Sequence, residues 1–202
     1  MKPRPIIFSS EMVRAILADK KTQTRRVVKA YPNCHIEIVE GVAEMVNTES
    51  PEARIFLNHS PYGVVGDRLW VRETWAFDDI TQKVSSENST IFKADFLDNA
   101  KDQRWRSAMF MPRAASRIDL EITSIRVERL QDISEADAIA EGVNGDHVYG
   151  AVKTIENAKD MPYSSYVGGY WYLWDLINGK KHPWDSNPWV WVIEFKRVER
   201  PL

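Results

Sequence analysis

One cysteine, Cys34, is all the chain carries, so an intrachain disulfide framework and a multi-cysteine metal site are both excluded. Histidine is scarce too: His35, His59, His147 and His182 are the four, and no two stand at the short spacings of zinc ligands on a helix or knuckle. No metal and no cofactor is expected. Apolar runs fall well short of the roughly 20 residues that span a bilayer. The opening Met1-Lys2-Pro3-Arg4-Pro5-Ile6-Ile7-Phe8 lacks the apolar stretch of a signal peptide. The expectation is a soluble, cytoplasmic protein with no membrane partner. Internal repeats, low-complexity tracts and Gly/Ser linkers are missing, which leaves one domain over residues 1–202. An excess of one charge is missing as well, since 27 Lys+Arg meet 29 Asp+Glu for a formal net charge of -2. A globally basic nucleic-acid binder is thereby excluded, while a local basic patch is not.

What the chain has in plenty is aromatic surface: Trp 8, Tyr 7 and Phe 7 among 202 residues. Its patterning reads as α+β. Ile6-Ile7-Phe8 suits a short strand, and Ser9 or Ser10 caps a helix whose apolar face is Met12, Val13, Ile16 and Leu17, giving out near Asp19-Lys20. Ile36–Val39 and Thr90–Ala94 are short strand candidates, and Gly66-Asp67 turns into a strand over Arg68–Trp75. Ile118, Leu120 and Ile122 alternate, then the phase slips to Ile125 and Val127, which predicts a bulge. Ser134-Glu135-Ala136-Asp137 is a capping box for a short helix that Gly142 ends. Residues 144–162 read as loop. A second helix is predicted from about Ser165 to Asn178, with Tyr166, Tyr170, Leu173, Trp174 and Ile177 inward and Gly179 as its stop. Trp189–Val198 is the strongest strand, apolar enough at its start to be buried on both faces. Together these predict a mostly antiparallel sheet curled into a small barrel, with helices at its ends.

Charge is concentrated locally. Residues 1–30 hold eight basic residues against Glu11 and Asp19, a net +6. Arg104, Arg106, Arg113 and Arg117 flank Trp105 and Met111-Pro112. Arg and Lys beside Trp suit a surface that holds phosphate and stacks bases, with Trp70, Trp75 and Trp105 the stacking candidates; ordinary ion pairs on a solvated helix end read the same way. Trp171, Trp174, Trp189 and Trp191 stand at core spacing and are assigned to packing. Lys21-Thr22-Gln23-Thr24 is more pointed. In a turn leaving a helix, residues three apart face the same way, which brings Lys21 toward Thr24. A Lys desolvated or crowded by Arg25 and Arg26 has a lowered pKa and is able to deprotonate a Thr hydroxyl, with a carboxylate from elsewhere orienting it. A plain polar helix terminus is the alternative.

Ile16-Leu17-Ala18-Asp19-Lys20-Lys21-Thr22-Gln23-Thr24-Arg25-Arg26 resembles the signature loop of the activating signal cointegrator homology (ASCH) domain, a PUA-like β-barrel. Gly66–Glu73 resembles that family's Gly-Asp turn and following strand, Leu130–Gly142 its short helix ending in a Glu, and Val192–Lys196 its closing strand. Relative to its smallest members, residues near 31–60, 76–104 and 144–188 look like insertions. The whole-chain phrasing is similar to phage and prophage proteins. Small bacterial members include amidohydrolases that deacetylate N4-acetylcytidine, and others are RNA binders or ribonucleases. The resemblance implies a protein that binds RNA or a modified nucleoside in a basic cleft and hydrolyses an N-acyl bond there; a ribonuclease or a non-catalytic nucleic-acid-binding module stands as the alternative. It implies Thr24 as nucleophile, Lys21 as its base and Glu141 as orienting group and proton carrier, with Glu73 a rival for the last role. Arg25, Arg26, Trp70, Arg72, Glu73, Trp75 and Arg113 are the expected substrate or nucleic-acid contacts. Asp19 departs from the family loop, which carries Gly there.

Overall fold

Trp189–Val198 (β10) is the strand around which the others are ordered. In the computed structural model, which describes residues 3–31, 33–40, 42–51, 54–56, 60–77, 90–96, 103–154 and 165–199, it lies second from one edge of a five-stranded sheet. The chain runs β1 (Arg4–Ile7), α1 (Ser10–Leu17), β2 (Gln23–Val27), β3 (Cys34–Val39), β4 (Val42–Asn47), β5 (Arg54–Phe56), β6 (Arg68–Arg72), β7 (Trp75–Phe77), β8 (Thr90–Phe92), β9 (Asp119–Arg129), α2 (Glu135–Ala140), α3 (Gly145–Thr154), α4 (Tyr166–Asn178), β10. The main sheet has the order β1-β6-β9-β10-β2. Only β1–β6 is parallel; the other pairs in it are antiparallel.

The period of two in β10 splits its side chains between two cores. Trp191, Ile193 and Phe195 join Ile6, Phe8, Val13 and Ile16 on one face, under α1. Val190 and Val192 join Leu130, Tyr170, Trp174 and Trp184 on the other, under α2 and α4. Pairing with β9 shifts between Glu194, opposite Ser124, and Phe195, opposite Ile122. Thr123 is the extra residue, and the phase slip read from the sequence is this bulge.

Among the described residues the strands do not close into the small barrel expected from the sequence. The main sheet is open, with β1 and β2 at its edges. Its two edge strands are tied by a side chain: Arg26 of β2 donates from Nη2 to the Ile7 carbonyl at the end of β1, 2.7 Å away. Just before β2, Thr22 N donates to the Ala140 carbonyl of α2 at 2.8 Å. Residues around 31–60 build a separate antiparallel sheet, β3-β4-β5. The predicted strand Arg68–Trp75 breaks at Glu73-Thr74, and its last residue starts β7, which pairs with β8.

Residues predicted as loop after 144 contain α3, which packs on α4. Its Gly150 meets the Tyr172 ring and Val148 meets Gly169 of α4, so small residues at the crossing let the helices approach. That contact is tertiary and leaves no apolar period to read. On α4, Tyr170 and Trp174 are buried as predicted, while Tyr166 and Ile177 are exposed. No described helix is long and apolar enough to cross a membrane.

Candidate functional site

Two helix ends meet at Lys21. Helix α1 starts at Ser9, whose hydroxyl accepts from Met12 N, and ends in a Schellman arrangement: Asp19 N donates to the Ile16 carbonyl at 3.1 Å and Lys20 N to the Ala15 carbonyl at 2.8 Å. That geometry demands a left-handed residue, and Asp19 supplies it with φ 54° where glycine is usual. The chain then straightens into β2. In extended chain, side chains two and four apart share a face, so Lys21 keeps company with Arg25 and not with Thr24. No hydrogen bond joins Lys21 Nζ to the Thr24 hydroxyl, contrary to the helix-exit spacing expected from the sequence.

Helix α2 opens with the predicted capping box, Asp137 N donating to Ser134 Oγ at 3.1 Å and Ser134 N to Asp137 Oδ2 at 3.3 Å. Its end is a second Schellman arrangement, Gly142 N to the Ile139 carbonyl and Val143 N to the Ala138 carbonyl, with Gly142 at φ 87°. A Cβ there would lie 3.2 Å from both Ala15 Cβ and Lys21 Cβ, so the missing side chain is what lets Lys21 pass. Glu141, the cap residue, is set directly before it.

Lys21 Nζ donates to the Glu141 main-chain oxygen and to Glu141 Oε2, each at 2.7 Å. Lys21 is 2% exposed and Glu141 4%. Arg25 Nη1 reaches Glu141 Oε1 at 3.4 Å, and its Nη2 pairs with Glu128 and stands 3.5 Å from Asp137. Arg126 extends the network to Glu128, Asp137 and Glu194. Burial holds the Lys21 ammonium below its usual pKa; Glu141 opposes that, while Arg26 and Arg25 add to it. Burial likewise drives the Tyr170 phenol well above its ordinary range, with Glu141 adding in the same sense. A buried amine–carboxylate pair whose amine is biased toward neutrality is suited to proton transfer.

Glu141, Thr24, Arg25, Arg26 and Tyr170 line a narrow cleft of about 20 Å³ between α1, β2 and α4. Glu141 also borders an adjoining cavity of about 380 Å³, walled by Met12, Leu173 and Ile177 and carrying His147. His147 is fixed by two contacts, Nδ1 accepting from Asn144 N at 3.1 Å and Nε2 standing 2.9 Å from Glu11 Oε1. A larger hollow of about 890 Å³ lies past the ends of α1 and α2, but neither Lys21 nor Glu141 opens on it.

No family model, no curated protein and no solved structure matches the chain.

The other expected contacts are drawn into internal pairs. Arg26 stacks over Phe8 at 5.3 Å besides bonding Ile7. Trp70, 6% exposed, is held between Arg72 and Arg113 at 4.7 and 5.8 Å, and Arg113 pairs with Asp119 at 2.7 Å. Arg72 donates to the Met109 carbonyl. Trp75 is buried in a small cluster with Phe77, Phe92 and Met111. Neither tryptophan presents an open face to a base, which corrects the stacking expectation: Arg beside Trp in sequence is here an internal cation–π contact. Glu73 bonds Arg117 at 2.9 and 3.1 Å, and Arg117 continues to Asp95. The carboxylate bonded to Lys21 is that of Glu141.

Among the described residues, no group of three His, Cys, Asp or Glu side chains is placed to hold a metal ion. Two lining residues escaped the sequence reading. Tyr170 was legible as an inward residue of α4, at the i, i+4 spacing to Trp174, but its hydroxyl carries no sequence mark. His147 has no local motif; Asn144 bonds it locally, and its contact with Glu11 of α1 is tertiary.

Proposed function

We propose that the chain is a PUA-like protein of the ASCH type that holds a nucleoside or nucleobase beside Glu141 and hydrolyses an N-acyl bond on it. One observation carries the reading: a buried Lys21–Glu141 pair at 2.7 Å, whose carboxylate opens on the same cleft as Thr24. Thr24 is the nucleophile. Its hydroxyl proton passes through Glu141 to the neutral amine form of Lys21 that burial favours, which becomes the ammonium as the oxygen attacks the acyl carbon. The pair returns the proton to the departing nitrogen as the C–N bond breaks. Water then hydrolyses the Thr24 ester by the same route and releases the acid.

The charge distribution favours a small neutral ligand over a polynucleotide. Lys21 and Arg25 are buried against carboxylates, and Arg26, the remaining cation among the cleft's described lining residues, donates to the Ile7 carbonyl. The adjoining apolar cavity is of a size for a nucleoside-scale ligand.

Incubation with N4-acetylcytidine tests the reading. Cytidine and acetate are the expected products, with release abolished in Thr24→Val and in Lys21→Met variants that retain the wild-type circular dichroism spectrum. Binding without turnover in the wild type would convert the proposal into a non-catalytic binding module. Cleavage of RNA that is lost in the same variants would replace the N-acyl bond by a phosphodiester.

A further inference from the structure

Two hydroxyls in the cleft have no hydrogen-bond partner among the described residues. Thr24 and Tyr170 are 2% and 4% exposed, and among the described residues neither hydroxyl makes a hydrogen bond. Neither oxygen is among the fully enclosed polar atoms that lack a partner, so both touch the open space of the cleft, where a ligand can meet them. Thr24 has a role as the nucleophile. Tyr170 has none in the chemistry given above.

Its position is strongly determined. Ser165 caps α4, and the Glu135 carboxylate of α2 accepts from Tyr166 N and Val167 N at 2.8 and 3.2 Å, which fixes the turn that carries Tyr170. The ring packs against Trp174 and Trp184 with centroids 6.2 and 6.3 Å away, and the Arg25 guanidinium lies 5.8 Å from its centre. A ring clamped on these sides points its hydroxyl reproducibly, as preorganised electrostatic stabilisation requires.

We infer that Tyr170 is a catalytic residue of the cleft, donating its phenolic hydrogen bond to the acyl oxygen of the substrate as Thr24 attacks. The inference rests on the N-acyl hydrolase reading of the same site. When the Thr24 Oγ–C bond forms, the carbonyl π pair moves onto oxygen. That charge is held by the Tyr170 O–H until the pair returns and the C–N bond breaks, so Tyr170 gives up no proton and needs none back. Burial keeps the phenol protonated throughout the neutral and mildly alkaline range. The competing donors are mostly engaged: Arg25 through Nη1 and Nη2 with Glu141 and Glu128, Arg26 through Nη2 with Ile7. Arg25 Nε is buried without a partner and is a second donor on the same wall.

Tyr170→Phe tests this, because it removes one oxygen and keeps the clamped ring. With N4-acetylcytidine, kcat is expected to fall about 10²–10³-fold while KM stays within about twofold, as for loss of an oxyanion donor. Tyr172→Phe, on the same helix but outside the cleft, should leave both constants unchanged. A Tyr170→Phe enzyme with wild-type kcat, or one changed in KM alone, overturns the inference and leaves the hydrolase reading standing. Should the wild type bind N4-acetylcytidine without turnover, the hydrolase reading fails on its own. Calorimetric titration then decides: weaker binding of N4-acetylcytidine but not of cytidine by Tyr170→Phe sustains the donor assignment, and equal binding, or no binding by either protein, removes it.

Discussion

Lys21 Nζ stands 2.7 Å from both the main-chain oxygen and Oε2 of Glu141, so one ammonium terminates helix α2 and pairs with the side chain of its cap residue. The two contacts make the pair rigid: the backbone bond holds the lysine at the helix end while the carboxylate faces the cleft. Everything that positions the site acts through this contact, from the left-handed turn at Asp19 to the bare Cα of Gly142.

Glu141→Gln should destabilise the protein more than Lys21→Met. The first leaves a buried ammonium without its counter-charge, at a cost of about 3–5 kcal/mol. The second leaves Glu141 still facing Arg25 at 3.4 Å, so its loss is smaller. Urea denaturation gives the order, and equal losses would show that Arg25 does not compensate. The pH dependence has a definite sign. The folded-state pKa of Lys21 lies below the unfolded value near 10.5, so between the two the unfolded chain holds the extra proton. Wild-type stability therefore gains from this group as pH climbs from the folded value toward 10.5, and Lys21→Met removes that gain.

Gly142→Ala is expected to impair both fold and turnover. An L-residue at this φ costs about 1–2 kcal/mol, and the new methyl presses on Lys21 Cβ at 3.2 Å. A melting temperature lower by about 2–4 °C for each kcal/mol lost follows for a chain of this size. Thermal denaturation and the N4-acetylcytidine assay check the two effects. An unchanged melting temperature would mean that the helix end relaxes and the close approach is not needed.

Where the site was legible, local chemistry dictated it. The capping box at Ser134 and the glycine at 142 bracket α2, and the phase slip before Ile125 marks the bulge in β9. The near-continuous apolar start of Trp189–Val198 foretold a strand with both faces covered. The sequence left Glu141 and Glu73 as rivals because the choice depends on two helix ends meeting across 120 residues, which no periodicity encodes. Trp70 and Trp75 were misassigned for a similar reason, since neighbouring charge cannot tell an arginine that stacks on the indole from a base that would.

Asp19→Gly should stabilise the protein by about 0.5–1 kcal/mol, because glycine reaches the left-handed region without a Cβ penalty. Asp19 holds φ 54°, and its contact with Arg197 is a 3.5 Å pair between exposed side chains, of little worth. Asp19→Ala keeps the strain, loses the pair and should melt lower than wild type. If Asp19→Gly melts lower as well, the aspartate contributes something besides its conformation.

Glu73→Gln separates the two carboxylates the sequence could not rank. Glu73 is 1% exposed, but its partner Arg117 is partly exposed and retains Asp95 at 2.8 Å when Glu73 is neutralised, so the expected loss of stability at neutral pH is smaller than for Glu141→Gln. Burial raises the folded pKa of Glu73 above 4.5, with Arg117 opposing and Asp95 adding slightly. Between 4.5 and that raised value the folded chain keeps a proton the unfolded chain has lost, so this group makes wild-type stability fall as pH rises through the window. Glu73→Gln removes that slope, and the variant should compare better with the wild type at pH 7 than at pH 4 in urea denaturation. Its turnover of N4-acetylcytidine should match the wild type, because Glu73 faces Arg117 and not the cleft, whereas Glu141→Gln should abolish it. A folded Glu73→Gln variant without activity would move the catalytic carboxylate to β6's end and detach Glu141 from the chemistry.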